Sequence, residues 1–321
     1  MSSKADTDKL TPARESDAIR PALDAAIARF QGRRPVRAGS LIITVFGDAI
    51  ASRGGAVSLA SLSEMLAPFG LSDSLIRTTL SRQTADGWFV RQKVGRRSVY
   101  ALSRSGRQRV EEATRRIYTG PGEGWAGEWT VVILPSDDPG VRERFKSELG
   151  WIGFGALAPN VMVHAAADET ALQSVLAENG NADQVLVIRG HAGGAKPETL
   201  RRVTEKGWNF DELRNGYAEF IDTFEPALAA LRTVRPEPRD CLTLRLVLIH
   251  EYRRVMLHDP LLPPALLSDD WIGWDAYRLC AEVYRAVVRS SEAFLDRHAD
   301  AGEGPLPPAD ERIWSRFSPP A

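Results

Sequence analysis

The chain has 321 residues, 43% of them hydrophobic and 26% charged, a length that predicts two to three domains and a composition in the range of ordinary soluble globular proteins. No run approaches the ~20 uninterrupted apolar residues of a membrane span, and the polar start Met1–Asp17 lacks the apolar stretch of a signal peptide, so a cytoplasmic protein with no membrane partner is expected. The net charge of −1 hides an asymmetry: Met1–Gly120 carries 20 Lys and Arg against 11 Asp and Glu, net +9, and the remainder 21 against 31, net −10, as when a basic binding module is joined to an acidic one.

Residues 1–38 read as a flexible tail with a short helix from Pro21 to Phe30, where proline suits a first turn. The tail ends in Gly32-Arg33-Arg34-Pro35-Val36-Arg37, a basic stretch able to touch the phosphates of a polyanion. A first folded domain is expected over 39–120. Leu41, Ile42, Val45, Phe46, Ala49 and Ile50 form one helical stripe over Leu41–Ala51, stopped by Gly54-Gly55. Leu59–Phe69 is a second amphipathic helix, with Gly70 as its left-handed cap. Ser72 is a good N-cap for a third helix running to Asp86, and Gly87 ends it. Two helices joined by a short Gly-containing turn make the helix-turn-helix pattern. Trp88–Lys93 and Ser98–Leu102 are extended runs around the turn Val94-Gly95-Arg96-Arg97, with Trp88 and Val90 expected on one face and Tyr100 and Leu102 on one face. This hairpin is the wing. Ser105–Tyr118 is a helix, and Gly120-Pro121-Gly122-Glu123-Gly124 a linker.

A second domain is expected over 125–192. Its order is strand Trp129–Leu134, helix Pro139–Leu149, strands Phe154–Ala156 and Val161–Val163 around Pro159-Asn160, helix Glu169–Asn179 and strand Gln184–Arg189. That βαββαβ order is the ferredoxin-like arrangement. Residues 196–300 read as a mainly helical domain, and 301–321 as a Gly/Pro-rich tail, disordered or loosely docked. The fold class is therefore α+β.

On the third helix Leu75, Ile76, Thr79 and Leu80 are expected to face the other helices, and Ser74, Arg77, Thr78, Ser81 and Arg82 the opposite side. A helix fits the major groove, where Arg, Ser and Thr at such spacings reach base edges and phosphates. Arg91, Lys93, Arg96 and Arg97 crowd the adjacent hairpin, and packed like charges repel unless a polyanion meets them. Almost all cations of this half are arginine, whose planar fork suits guanine and phosphate better than lysine does. Double-stranded DNA is the expected partner.

Several separated motifs resemble those of the PaaX repressor family of phenylacetic-acid catabolism. They are Ser40-Leu-Ile-Ile-Thr-Val-Phe-Gly-Asp48, Arg77-Thr-Thr-Leu-Ser-Arg82 with Gly87-Trp88, Gly95-Arg-Arg97 with Tyr100, Gly150-Trp-Ile-Gly-Phe-Gly155, His250-Glu-Tyr-Arg253, Asp259-Pro260, Leu262-Pro263 and Trp271-Ile-Gly273. The resemblance runs from about Gly39 to about Leu295. It implies a homodimeric repressor with an N-terminal winged helix, a central domain like the CRISPR-associated nuclease Cas2 and a helical C-terminal domain. It also implies release from the operator by an aryl-acyl-CoA, typically phenylacetyl-CoA; no cofactor is expected.

Other candidates carry less. His250-Glu251-Tyr252-Arg253-Arg254 fails as a zinc-protease motif, because position 254 is arginine. Arg253 and Arg254 could instead meet CoA phosphates, with His250, Tyr252, Trp271 and Trp274 beside them near an aromatic or adenine ring. Asp137 and Asp138 follow the first strand of the second domain, where a Cas2-like nuclease would hold a metal, although a helix cap before Pro139 is the commoner use. Gly190–Gly194 reads as a flexible loop and a weak phosphate-loop candidate. His164, His191, His258 and His298 have no metal-site spacing, and Cys241 and Cys280 are too few for a disulfide framework or cysteine-rich zinc site. No nucleophile–base pair stands out, so a non-enzymatic regulator is expected. A nuclease, a CoA-ester hydrolase and a ligand-independent architectural DNA binder are the alternatives.

Overall fold

The computed structural model describes residues 17–33, 38–120, 125–134, 138–178 and 185–318. They divide into two compact units. The first takes the described residues up to Tyr118 together with Glu219–Tyr252 and Tyr277–Ser318, and the second takes Thr119–Ala218 and Arg253–Ala276.

In the first unit α1 (Arg20–Gly32) carries Pro21 in its first turn and buries Leu23, Ala26 and Phe30. The Phe30 ring meets Phe69 edge-on at 5.6 Å. Three ion pairs pin α1: Arg20 to Asp240 at 2.8 Å, Arg29 to Glu219, and Arg33 to Glu251 at 2.6 Å. The helix expected at Pro21–Phe30 therefore exists, but as packed structure rather than within a flexible tail, because its apolar stripe finds a core. Residues 1–16 and the basic stretch Arg34–Arg37 lie outside the described residues.

α2 (Ala38–Val45) continues through a wider π-type turn, Phe46–Ile50. A short strand that sequence reading missed, β1 (Ala56–Ser58), leads into α3 (Leu59–Leu66), with Ser58 as N-cap accepting from the Ser61 N–H at 3.2 Å. α4 (Asp73–Ala85) is capped by Ser72, which accepts from the Leu75 N–H at 3.3 Å. Its buried stripe is Ile76, Thr79, Leu80 and Gln83. Leu75 was expected inward and instead lies exposed, since at ~100° per residue it sits about 90° from the centre of that stripe. The Gln83 side chain donates to the Gly39 carbonyl at 2.9 Å, joining α4 to α2.

β2 (Phe89–Val94) and β3 (Arg97–Leu102) form the expected hairpin, and the sheet order is β1-β3-β2. Gly95, with φ +58°, makes the turn between them. The inward residue of β2 is Phe89, not Trp88 or Val90: Phe89 pairs with Leu102 and packs on Phe46 at 4.4 Å, and Val90 is exposed. The expected alternation was one residue out of register, which turns every side chain to the other face. Tyr100 and Leu102 are both buried, as expected. α5 (Arg104–Tyr118) follows.

The second unit contains β4 (Glu128–Ile133), α6 (Pro139–Trp151), β5 (Gly155–Ala158), β6 (Val161–His164), α7 (Glu169–Glu178) and β7 (Leu186–His191). The sheet is antiparallel throughout, in the order β5-β6-β4-β7. Its core joins Val132, Leu134 and Met162 of the sheet region to Phe145, Leu149, Leu172 and Leu176 of the two helices. Gly190 and His191 are not loop: they pair with Trp129 and Glu128 as the end of β7, which removes two of the five residues of the Gly190–Gly194 phosphate-loop candidate. Pro121–Gly124, Asn179 and Gln184 lie outside the described residues.

Three long helices follow α8 (Pro197–Gly207): α9 (Phe210–Leu231), α10 (Pro238–Met256) and α11 (Gly273–His298). After α11 the chain is not loose. Leu306, Ile313 and Phe317 are buried in the first unit, Ser58 donates its N–H to the Asp300 carbonyl at 2.9 Å, and Asp310 donates to the Ser52 carbonyl at 2.8 Å. The expected tail is thus a strap, fixed by three apolar anchors and backbone hydrogen bonds that its Gly/Pro-rich sequence concealed.

Candidate nucleic-acid interface

The nine residues singled out from sequence all lie on the surface of the first unit. Ser74, Arg77, Thr78, Ser81 and Arg82 of α4 are exposed, as are Arg91, Lys93, Arg96 and Arg97 of the hairpin. The reason is local: the stripe Ile76, Thr79, Leu80 and Gln83 fixes the rotation of α4, and the opposite face is left to solvent. Arg77, Arg82, Lys93 and Arg96 have no carboxylate partner among the described residues. The other two hairpin arginines are engaged. Arg91 donates to the Ser98 hydroxyl at 3.0 Å, and Arg97 pairs with Asp300 of the strap at 3.0 Å.

In the core of the same unit sits a charge cluster that sequence reading did not find. Asp48, in the wide turn after α2, is 1% exposed. It accepts from Arg245 Nε and Tyr118 Oη, both at 2.7 Å, from Arg316 Nη1 at 3.0 Å and from Tyr284 Oη at 3.1 Å. Arg245 also meets Glu292 at 2.5 Å, and Glu292 accepts from Arg53 Nε at 2.7 Å. Arg53 pairs with Asp296 at 2.8 Å as well. Three guanidiniums and three carboxylates therefore balance. Burial together with the Asp48 charge raises the Tyr118 phenol well above its usual range, and burial pushes Tyr284 up to about 12. Both phenols are therefore protonated hydrogen-bond donors to Asp48. The one sequence signal was Asp48 itself, a carboxylate on an otherwise apolar helical stripe, which must be paired if buried.

The six ligand candidates are divided between the units. His250 and Tyr252 belong to the core of the first: His250 Nδ1 lies 3.3 Å from the Thr44 hydroxyl with its ring against Phe30, and Tyr252 packs on Phe220. Arg253 and Arg254, both partly exposed, belong to the second unit, as do buried Trp271 and half-buried Trp274. Trp271 packs edge-on against Phe210 at 5.2 Å, and the Arg214 guanidinium stands 5.6 Å from its ring. An open cleft of about 290 Å³ empty volume lies here, lined by Arg201, Thr204, Phe210, Arg214, Ser268 and Trp271 among others. Of the six candidates only Trp271 lines it. Asp137 lies outside the described residues, and Asp138 caps α6, accepting from the Gly140 N–H at 2.7 Å. Among the described residues no group of three or more His, Cys, Asp or Glu side chains is placed to hold a metal ion, and no helix is long and apolar enough to cross a membrane.

Residues 37–106 match the family model of PaaX-like proteins, 122–201 that of the PaaX protein central Cas2-like domain, and 208–297 that of the PaaX-like C-terminal domain. The Transcriptional repressor PaaX of Escherichia coli (strain K12) is 34% identical over 298 residues, covering 92% of this chain and 94% of that protein. The chain belongs to the PaaX family. As a PaaX-family repressor it presents its exposed arginines in the segment matched as PaaX-like, and the sheet of its second unit falls in the Cas2-like segment. Among solved structures, an uncharacterized protein from Mycobacterium tuberculosis aligns with 73% of this PaaX-family chain and 89% of its own, at 21% identity and a TM-score of 0.46.

Proposed function

We propose that this PaaX-family repressor reads operator DNA through a winged helix-turn-helix made of α3, α4 and the β2–β3 hairpin. α4 enters the major groove, where Arg77 and Arg82 reach base edges or phosphates and Ser74, Thr78 and Ser81 add hydroxyl contacts. Lys93 and Arg96 meet the phosphate backbone. The observation that carries this reading is the coexistence of exposed arginines without carboxylate partners on α4 and the hairpin with fully paired arginines in the core of the same unit. A merely soluble surface would have no cause to concentrate one sign of charge there.

The central domain, with its βαββαβ order, is ferredoxin-like in this reading. The chain acts as a cytoplasmic homodimer that places two reading helices about one DNA turn apart on a palindromic operator. The operator controls an aromatic-acid catabolic operon, and an aryl-acyl-CoA such as phenylacetyl-CoA releases the protein by binding a second conformation more tightly. No chemistry is required of the chain.

Selection from a random duplex library tests the reading. Recovery of a single two-fold-symmetric sequence, bound more weakly by Arg77→Ala, is expected. Enrichment of no sequence would overturn it. Addition of phenylacetyl-CoA and other aryl-acyl-CoAs to the selected complex is expected to release the DNA, and indifference to the whole series would remove the effector.

A further inference from the structure

The strap and the hairpin meet at one carboxylate. Asp300 stands just past the end of α11. Its Oδ1 pairs with Arg97 Nη1 at 3.0 Å and accepts from the Gly302 N–H at 2.9 Å. Its Oδ2 accepts from the Ser58 and Ser61 hydroxyls, both at 3.1 Å. Those serines are the cap and first turn of α3, and the Asp300 N–H donates back to Ser61 Oγ at 3.0 Å. Gly302, at φ +108°, seals the contact: a Cβ there would lie 2.7 Å from a Val99 methyl and 3.2 Å from Val94 Cβ, so the strap rests directly on both strands of the hairpin. Partial burial pushes the Asp300 carboxyl up, but the donors from Gly302, Ser58, Ser61 and Arg97 outweigh it and hold the group below the usual carboxylate range. It is charged at neutral pH.

A guanidinium, two hydroxyls and a backbone N–H are the kinds of donors that DNA phosphate oxygens recruit. We propose that Asp300 is an internal rival of a DNA phosphate: it keeps Arg97 out of the phosphate-contacting set and thereby sets the strength and salt dependence of DNA binding. The hairpin then offers Lys93 and Arg96 to the backbone, and Arg97 joins them only when the Asp300 charge is removed. This inference rests on the winged-helix reading above.

Fluorescence anisotropy of the full chain on a fluorescein-labelled mixed-sequence duplex, over a series of KCl concentrations, tests it. Each phosphate contact contributes about 0.9 to the slope of log K against log salt. Arg96→Ala is expected to lower the slope by about that amount, and Arg97→Ala to leave it unchanged. Asp300→Asn retains an oxygen acceptor for the serines and is expected to steepen the slope by about 0.9, a gain that vanishes in Asp300→Asn with Arg97→Ala. Equal slope losses from Arg96→Ala and Arg97→Ala would overturn the assignment, as would a steepening that survives loss of Arg97. If circular dichroism shows Asp300→Asn to be unfolded, the two exposed arginine variants decide alone. A wild-type chain with no saturable duplex binding would overturn the DNA reading and this assignment together, whereas binding with an Arg97-dependent slope would overturn this assignment only.

Discussion

The first unit uses arginine in two opposite ways. On α4 and the hairpin, Arg77, Arg82 and Arg96 stand in water with no carboxylate partner among the described residues. In the core, Arg53 and Arg245 are fully buried, and Arg316 nearly so, against Asp48, Glu292 and two phenols. An exposed guanidinium keeps its hydration, contributes little to folding and remains available to a polyanion. A buried one has lost its hydration and must be matched charge for charge. The difference teaches that arginine content alone says nothing about DNA binding; what matters is whether the fold has already supplied the counter-charge. Arg97 sits between the two groups, on the surface but already matched.

Substitutions should separate the two sets. The largest effect is expected from Arg245→Ala, which strands Asp48 and Glu292 in the core: unfolding free energy should fall by about 3–5 kcal/mol, read from the urea midpoint. A loss below about 1 kcal/mol would mean the cluster is not a structural keystone. Arg77→Ala should cost about 1–3 kcal/mol of discrimination between the preferred operator and its point variants, while stability shifts by no more than about 0.5 kcal/mol. Equal weakening on every sequence would make Arg77 a phosphate contact instead.

The burial that isolates the charge cluster also isolates the thiols. Cys280 is raised well above the normal thiol range by burial, and Cys241 is pushed up to about 11 by the same cause. Alkylation at neutral pH should therefore proceed only as fast as the chain unfolds, and rapid labelling of the native protein would show that this core opens.

The smallest effect concerns pH. The folded pKa of Asp300 lies below its unfolded value, so the stability its charge contributes is present above about pH 4 and is lost as pH falls through the folded pKa. The gap in melting temperature between wild type and Asp300→Asn should be widest near neutrality and close in acid. A gap that grows in acid would reverse the direction of the shift.

How much of this was legible from sequence follows from the range of the forces involved. The rotation of α4 was readable because Ile76, Thr79 and Leu80 repeat at helical spacing behind a good cap, Ser72, and the hairpin because Gly95 stands between extended runs. The βαββαβ order of the second unit was readable for the same reason, since each element announces itself within a dozen residues. The failures are at element edges and over long separations. Leu75 flanks its stripe, and the start of β2 was displaced by one residue because Trp88, Phe89 and Val90 are all apolar. The Asp48–Arg245 pair joins residues 197 positions apart, and nothing local to either names the other. The strap was hidden because its anchors, Leu306, Ile313 and Phe317, are too few and irregular to make a period. The six ligand candidates come from two separate stretches of sequence, and the division of His250 and Tyr252 from Arg253, Arg254, Trp271 and Trp274 between the units is a long-range outcome that neither stretch announces.

The threading of the first unit limits how the protein can be divided. A fragment ending near Gly120 would contain every residue proposed to touch DNA, yet it would lack Arg245, Glu292 and Arg316, and would leave Asp48 without its cations. Chimeras that graft the α3–α4 and hairpin region onto another protein must therefore carry Glu219–Tyr252 and Tyr277–Ser318 with it. Swaps at the apparent linker are expected to give insoluble hybrids, whereas exchanges confined to the outward positions of α4 should retarget the repressor without unfolding it.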